Sequence, residues 1–144
     1  MDNKKIKNAT STSYNNIIFK SKLEVSCYKK LETSGFSFSY EADKIVIWEG
    51  LKITNAIAYL PDKTKLLIPK TNFKIRNITY TPDFKIDYKG YTIYVDAKGF
   101  ANDIYPIKKK MFIQYIDSLV KCRFFEVHSV KQMLQAIEII KEYE

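Results

Sequence analysis

Residues 78–98 read ITYTPDFKIDYKGYTIYVDAK, and this stretch decides the predicted fold. Two runs that alternate apolar and polar residues flank Lys89-Gly90, a pattern typical of two strands joined by a tight turn. With a two-residue turn, Phe84 faces Val95 and Ile86 faces Ile93. These pairs form one continuous apolar face, which fixes the register of the hairpin.

The opposite face of the same hairpin places Asp83 across from Asp96, with Cβ atoms about 5 Å apart. Two carboxylates at that separation repel, so one takes up a proton unless a cation lies between them. Oxygen ligands of this kind favour Mg²⁺, Mn²⁺ or Ca²⁺ over zinc. Lys98 projects from the same face, where an ammonium group can orient or deprotonate a water, or stabilise charge on phosphorus.

An alternative interpretation of this face is a solvated polar surface on which two aspartates happen to meet. A change of one residue in the loop length would also separate Asp83 from Asp96. Both interpretations stay open at the level of the sequence.

A helix is predicted to begin at Ser21, because Ser21-Lys22-Leu23-Glu24 has the S-x-x-E form of a capping box, and to end at Gly35. Apolar residues recur at helical spacing after it, and Glu24 falls on their face. Glu24 therefore points inward. It supplies a third carboxylate, or it only closes the capping box, and the two roles are compatible. The apolar residues are Leu23, Cys27, Tyr28 and Leu31.

The remaining segments predict a mixed α/β domain with helices against a small sheet. Residues 1–20 are expected to form a flexible basic arm and residues 21–144 a single domain. Residues 49–77 are an insertion, either an additional hairpin or a long basic loop. Strands are predicted at 36–40, 45–48, 78–88, 91–98 and 123–128, and helices at 104–119 and from Ser129 onward. The buried residues of these two helices are expected to be Ile107, Met111, Tyr115 and Leu119 in the first, and Val130, Met133, Leu134, Ile137 and Ile140 in the second.

Composition and charge favour a folded protein with a polyanionic partner. The chain has 144 residues, 46% hydrophobic, and a net charge of +8. Clustered cations indicate phosphate binding through counterion release. No apolar run approaches the ~20 residues of a membrane span, and no signal-peptide segment is evident, so a cytoplasmic location is expected, with Cys27 and Cys122 as reduced core thiols. Lys22, Lys70, Lys74, Arg76, Lys108 and Lys109 are the predicted DNA contacts; Lys108 is expected to reach the site, and Lys109 and Lys110 to face solvent.

Two short motifs resemble the PD-(D/E)xK nuclease superfamily. Pro82-Asp83 matches the first part of the pattern, and Asp96-Ala97-Lys98 matches the second. Together with the lysine-rich helix that follows, the segments 80–84 and 95–100 resemble the phage endonuclease I family of Holliday-junction resolvases. The similarity covers roughly residues 21–44 and 78–115.

The resemblance implies a restriction-endonuclease-like core, in α-β-β-β-α-β order with a further C-terminal helix. It implies that Glu24, Asp83, Asp96 and the Ala97 main-chain carbonyl hold one or two Mg²⁺ ions, with Mn²⁺ able to substitute, and that Lys98 is catalytic. The expected function is Mg²⁺-dependent cleavage of branched DNA by a homodimer, in the bacterial host cytoplasm if the protein is phage-encoded.

Departures from the family leave its finer properties open. Residues 45–77 are longer than the corresponding segment of the resolvases, and Asp96 replaces the more usual glutamate. The alternatives are a non-catalytic nucleic-acid-binding module with a nuclease-like fold, or a nuclease acting on other DNA or RNA structures. A Ser-His or Cys-His hydrolase is disfavoured, because His128, the sole histidine, is not near a marked nucleophile.

Overall fold

The computed structural model describes residues 11–99 and 102–144. The described residues form two compact units, one within the ranges 1–44 and 81–144 and the other formed by residues 45–80. The strands are β1 (Thr12–Tyr14), β2 (Ile17–Phe19), β3 (Ser37–Tyr40), β4 (Ile45–Trp48), β5 (Ala58–Pro61), β6 (Leu67–Lys70), β7 (Ile78–Tyr80), β8 (Phe84–Tyr88), β9 (Tyr91–Ala97) and β10 (Cys122–Val127). The helices are α1 (Lys22–Ser34), α2 (Tyr105–Asp117) and α3 (Val130–Lys141).

The larger unit is built on a four-stranded mixed sheet of order β10-β9-β8-β3. The predicted hairpin is confirmed, because Phe84 pairs with Val95 and Ile86 with Ile93 in antiparallel strands. β10 lies parallel to β9, and α2 forms the crossover between them, as parallel neighbours require.

Both faces of the sheet are covered. The Phe84 face packs against apolar residues of α1 and α3, including Leu31 and Met133, which are fully buried. The other face presents Tyr94, whose ring contacts Phe112 of α2 edge-on. The predicted mixed α/β class is therefore confirmed, while the restriction-endonuclease-like assignment stays a prediction.

Helix α1 begins and ends where the sequence predicts. The Ser21 hydroxyl accepts from the Glu24 main-chain N–H at 3.2 Å, and a Glu24 carboxylate oxygen accepts from the Ser21 N–H at 3.1 Å, which completes the capping box. Gly35 ends the helix with φ of 83°, a left-handed conformation that costs glycine little.

The predicted buried stripe of α2 is wrong. Ile107 is 61% exposed, and Tyr115 and Leu119 are also exposed. The residues that α2 buries are Tyr105, Phe112 and Ile116. Periodicity misled here because α2 has apolar residues on several sides, so only packing against the sheet selects the buried side. In α3, Met133, Ile137 and Ile140 are buried as predicted, whereas Leu134 is exposed.

Residues 11–20, the described part of the predicted N-terminal arm, are more ordered than predicted. Strands β1 and β2 form an antiparallel hairpin instead of the flexible arm expected for residues 1–20. The physical reason is Phe19, which is fully buried and whose ring lies 5.2 Å from the Tyr28 ring and 4.5 Å from that of Tyr40, centroid to centroid. Residues 1–10 lie outside the described part of the chain.

The smaller unit, residues 45–80, contains two antiparallel pairs, β4 with β7 and β5 with β6. Of the two structures predicted for residues 49–77, a hairpin is therefore present. The predicted continuous strand 78–88 is divided, since β7 ends at Tyr80 and β8 begins at Phe84. The backbone at Gly50 passes so close to the backbone at Ile75 that a Cβ at residue 50 would collide with the Ile75 carbonyl oxygen. No described helix is both long and apolar enough to cross a bilayer.

Candidate active site

At the end of the β8–β9 hairpin, the carboxylates of Asp83 and Asp96 each accept a hydrogen bond from a main-chain N–H of the other strand segment. The Asp83 N–H donates to Oδ1 of Asp96 at 3.1 Å, and the Ala97 N–H donates to Oδ2 of Asp83 at 2.8 Å. Asp83 is 2% exposed and Asp96 is 0% exposed. The alternative of a solvated strand face is therefore wrong. Burial of two carboxylates is costly, and hydrophobic packing gives no reason for it.

Glu24 enters the same site from α1 and is 3% exposed. Its Oε2 accepts from the Lys20 N–H at 2.8 Å and from the Tyr40 hydroxyl at 3.3 Å. Burial, the charge of Asp83 and a side-chain hydrogen bond with Asp83 raise the pKa of Glu24 to about 8. Glu24 thus closes the capping box and also points inward, near enough to Asp83 for that charge to raise its pKa further after burial.

Lys98 lies at the partly exposed edge of the acidic cluster formed by Glu24, Asp83 and Asp96. Its Nζ is 3.7 Å from Oδ2 of Asp83, and its side chain is 25% exposed. Burial raises the pKa of Asp96, while the positive charge of Lys98 acts in the opposite direction. The ammonium groups of Lys98 and Lys20 both act on these acids, yet burial still raises the pKa of Glu24 and of Asp96.

The donor set suits a hard divalent cation, since it consists of carboxylate oxygens with excess negative charge. The side chains do not already surround a common point: within residues 11–99 and 102–144, no three His, Cys, Asp or Glu side chains form a group that could hold a metal ion. Burial and the nearby charge of Asp83 raise the pKa of Glu24, whereas Asp96 is joined to Asp83 through the Asp83 N–H. The ligand role of the Ala97 carbonyl stays a prediction.

The predicted DNA contacts are divided between the two units. Lys22 is exposed in the first turn of α1, two residues before Glu24. Lys108 is half-buried on α2. Lys70, Lys74 and Arg76 are exposed in the unit of residues 45–80.

The expectation that Lys109 faces solvent is wrong. Its Nζ lies 2.9 Å from Oε1 of Glu126 and 5.4 Å from the centroid of the Tyr105 ring. Lys110 is exposed, as predicted. The prediction for Lys109 failed because α2 packs through Tyr105 and not through Ile107. A different side of the helix therefore faces the sheet.

Three polar residues near the acids were not identified from the sequence: Tyr40, Tyr105 and Glu126. The Tyr105 hydroxyl donates to Oε1 of Glu126 at 2.8 Å and lies 3.4 Å from Oδ2 of Asp96. Burial acts to raise the pKa of Glu126, but hydrogen bonds from Lys109, His128 and Tyr105 lower it to about 2. Glu126 could have been assigned to the site only from its pairing with Asp96 in the β9–β10 register. That pairing is parallel, and no sequence motif specifies it.

Comparison with known proteins supplies no relative: no family model, no curated protein and no solved structure matches this chain.

Proposed function

We propose that this protein is a Mg²⁺-dependent DNA endonuclease that hydrolyses phosphodiester bonds, with branched DNA as its substrate. One observation carries the proposal: three buried acids, Glu24 near Asp83 and Asp83 joined to Asp96, lie with a partly exposed lysine near one end of a hairpin, although burying carboxyl groups opposes folding. Residues that destabilise a fold and cluster together are typical of functional sites.

Glu24, Asp83 and Asp96, with the Ala97 carbonyl, would hold the cation. When bound, Mg²⁺ polarises a phosphodiester and lowers the pKa of a water that it binds. Its charge would also counter the burial and the Asp83 charge that together raise the pKa of Glu24.

Lys98 is assigned to the chemical step. Its ammonium is close to Asp83 and exposed enough to meet a substrate that approaches from solvent. In that position it would orient the attacking water or stabilise the charge that develops on the phosphoryl oxygens.

The exposed cations would follow the DNA backbone without reading its sequence, since contacts to phosphates position a protein but do not specify bases. Lys22 serves this purpose beside the acids, and Lys70, Lys74 and Arg76 serve it in the unit of residues 45–80. Two symmetric cuts need two active sites, so we infer a homodimer, acting in the cytoplasm.

The resemblance of Pro82-Asp83 and Asp96-Ala97-Lys98 to PD-(D/E)xK nucleases supports the same proposal. The principal alternative is a non-catalytic nucleic-acid-binding module. A module that only binds DNA has no use for three buried acids around a lysine, because carboxylates repel phosphates.

The test is cleavage of matched linear, flap, single-stranded and four-way-junction DNA with Mg²⁺ or Mn²⁺, and again with EDTA. We expect metal-dependent cleavage, fastest on the junction. Cleavage that persists in EDTA would overturn the metal mechanism. Binding without cleavage under every condition would establish the alternative, and a preference for another substrate would correct the proposed DNA structure alone.

A further inference from the structure

The hydroxyl of Tyr105 lies between two carboxylates on neighbouring strands. Asp96 on β9 and Glu126 on β10 are partners in the parallel register. The hydroxyl donates to Glu126 at 2.8 Å and lies 3.4 Å from Asp96. A single group on α2 thus connects a proposed metal ligand with an acid that the proposed mechanism does not use.

Tyr105 is itself held in place by several contacts. Its main-chain N–H donates to Oδ1 of Asn102 at 2.8 Å, which fixes the first turn of α2. Its ring is buried, with the ammonium groups of Lys98 and Lys109 at 5.1 and 5.4 Å from the centroid. Cation–π contacts of this kind favour this ring position, which keeps the hydroxyl within reach of both Asp96 and Glu126.

Glu126 is anchored on its other sides. Lys109 Nζ lies 2.9 Å from the same Oε1 that Tyr105 contacts, and Nε2 of His128 lies 2.9 Å from Oε2. Glu126 therefore offers the Tyr105 hydroxyl a fixed acceptor. Packing alone does not explain this arrangement, because a phenylalanine would fill the same volume without bringing a hydroxyl to two acids.

Resting on the proposed function, we propose that Tyr105 is a positioning residue that holds the Asp96 carboxylate in the orientation needed for the divalent cation. Because the hydroxyl has one proton, it donates to Asp96 when it turns from Glu126, whose carboxylate keeps Lys109 and His128 as partners. Groups that hydrogen-bond to metal ligands orient them, and their loss commonly costs 10–100-fold in metal affinity.

The test compares Tyr105→Phe with Tyr115→Phe, a partly exposed tyrosine on the same helix. Mn²⁺ binding to the full-length protein is measured by electron paramagnetic resonance, and cleavage is measured as a function of Mn²⁺ concentration. We expect Tyr105→Phe to weaken Mn²⁺ affinity about 10-fold or more, with most of the cleavage rate restored at saturating Mn²⁺. Tyr115→Phe should leave the affinity unchanged.

A second variant, Glu126→Gln, keeps Tyr105 but weakens the contacts of residue 126 with Tyr105, Lys109 and His128. It should therefore weaken Mn²⁺ affinity less than Tyr105→Phe does. A Tyr105→Phe protein that melts earlier but binds Mn²⁺ like the wild type would overturn the inference, because the hydroxyl would then only stabilise the fold. If the wild type binds Mn²⁺ and both variants bind equally well, this inference fails and the proposed function stands. If the wild type binds no Mn²⁺, both fail.

Discussion

The two units of the chain treat apolar and charged side chains in opposite ways. The unit of residues 1–44 and 81–144 buries an apolar cluster that includes Phe84, Ile86 and Met133, and within the same unit it buries three acids. In residues 45–80, all of which the structure describes, only Ile45 and Tyr80 are buried. Leu67, at 68% exposed, and Tyr59, at 63%, are among the apolar residues that remain open to solvent.

The difference indicates that the two units suit different roles. A well-packed unit gains enough stability from apolar burial to tolerate buried carboxylates, so the proposed chemistry belongs there. A small unit built from two-stranded pairs gains little from burial, and its exposed cations suit contact with a polyanion. Four predictions test this comparison.

The largest effect is expected from Lys98→Ala. Loss of a group that acts in the chemical step should lower the cleavage rate by about 10²–10⁴-fold, with DNA and metal binding retained. The matched control is Lys85→Ala, a lysine of the same hairpin whose Nζ lies 3.0 Å from Asp43 Oδ2. Single-turnover cleavage of the preferred substrate measures both. A near-normal rate for Lys98→Ala would remove Lys98 from the site.

The second prediction concerns stability. Ile86→Ala, at a fully buried position of β8, should lower the free energy of unfolding by about 2–5 kcal/mol, through lost burial and a residual cavity. Ile68→Ala, at a position that is 46% exposed in β6, should change it by no more than about 0.5 kcal/mol. Urea denaturation monitored by circular dichroism measures both. Equal losses would mean that the smaller unit is packed as tightly as the larger one.

The third prediction separates binding from chemistry. Replacing Lys70, Lys74 and Arg76 together by alanine should weaken DNA binding, and each lost phosphate contact should reduce the slope of log affinity against log salt by about 1. The cleavage rate at saturating DNA should not change. The control replaces three exposed lysines of the other unit, Lys121, Lys131 and Lys141. An unaltered salt slope in the first variant would show that residues 45–80 do not bind the backbone.

The fourth prediction is a pH dependence of the stability of the metal-free protein. The pKa of Glu24 is raised from an ordinary 4.5 to about 8, so the folded state binds the proton more tightly than the unfolded state. The stabilisation is complete below the ordinary pKa and is lost as pH rises through about 8. In EDTA, the free energy of unfolding should therefore decrease from pH 5 to pH 8, roughly the interval between these two values.

Glu24→Gln should flatten this decrease, because an amide does not titrate. Glu138→Gln, at an exposed position of α3, is the control and should keep the wild-type slope. Urea denaturation at a series of pH values measures all three proteins. The same slope in wild type and Glu24→Gln would show that the folded protein does not hold a proton on Glu24.

Local patterns predicted those parts of the fold whose structure is set by neighbouring residues. The capping box at Ser21, the stop at Gly35 and the turn at Lys89-Gly90 each depend on a few residues in sequence, and each is confirmed. The course of β1 and β2 was not predictable in this way, since it depends on Phe19 meeting rings that are distant in the chain.

The same distinction applies to the candidate site: features set by neighbouring residues were predictable, and contacts between distant residues were not. The sequence by itself determined that Asp83 and Asp96 belong to one hairpin and that Glu24 points inward, because strand alternation and helical spacing fix directions over short distances. Only the tertiary structure decided that α2 packs through Tyr105 and that Glu126 lies beside Asp96. Those facts follow from a parallel pairing and a helix orientation selected by the packing of the whole unit, which no short segment encodes.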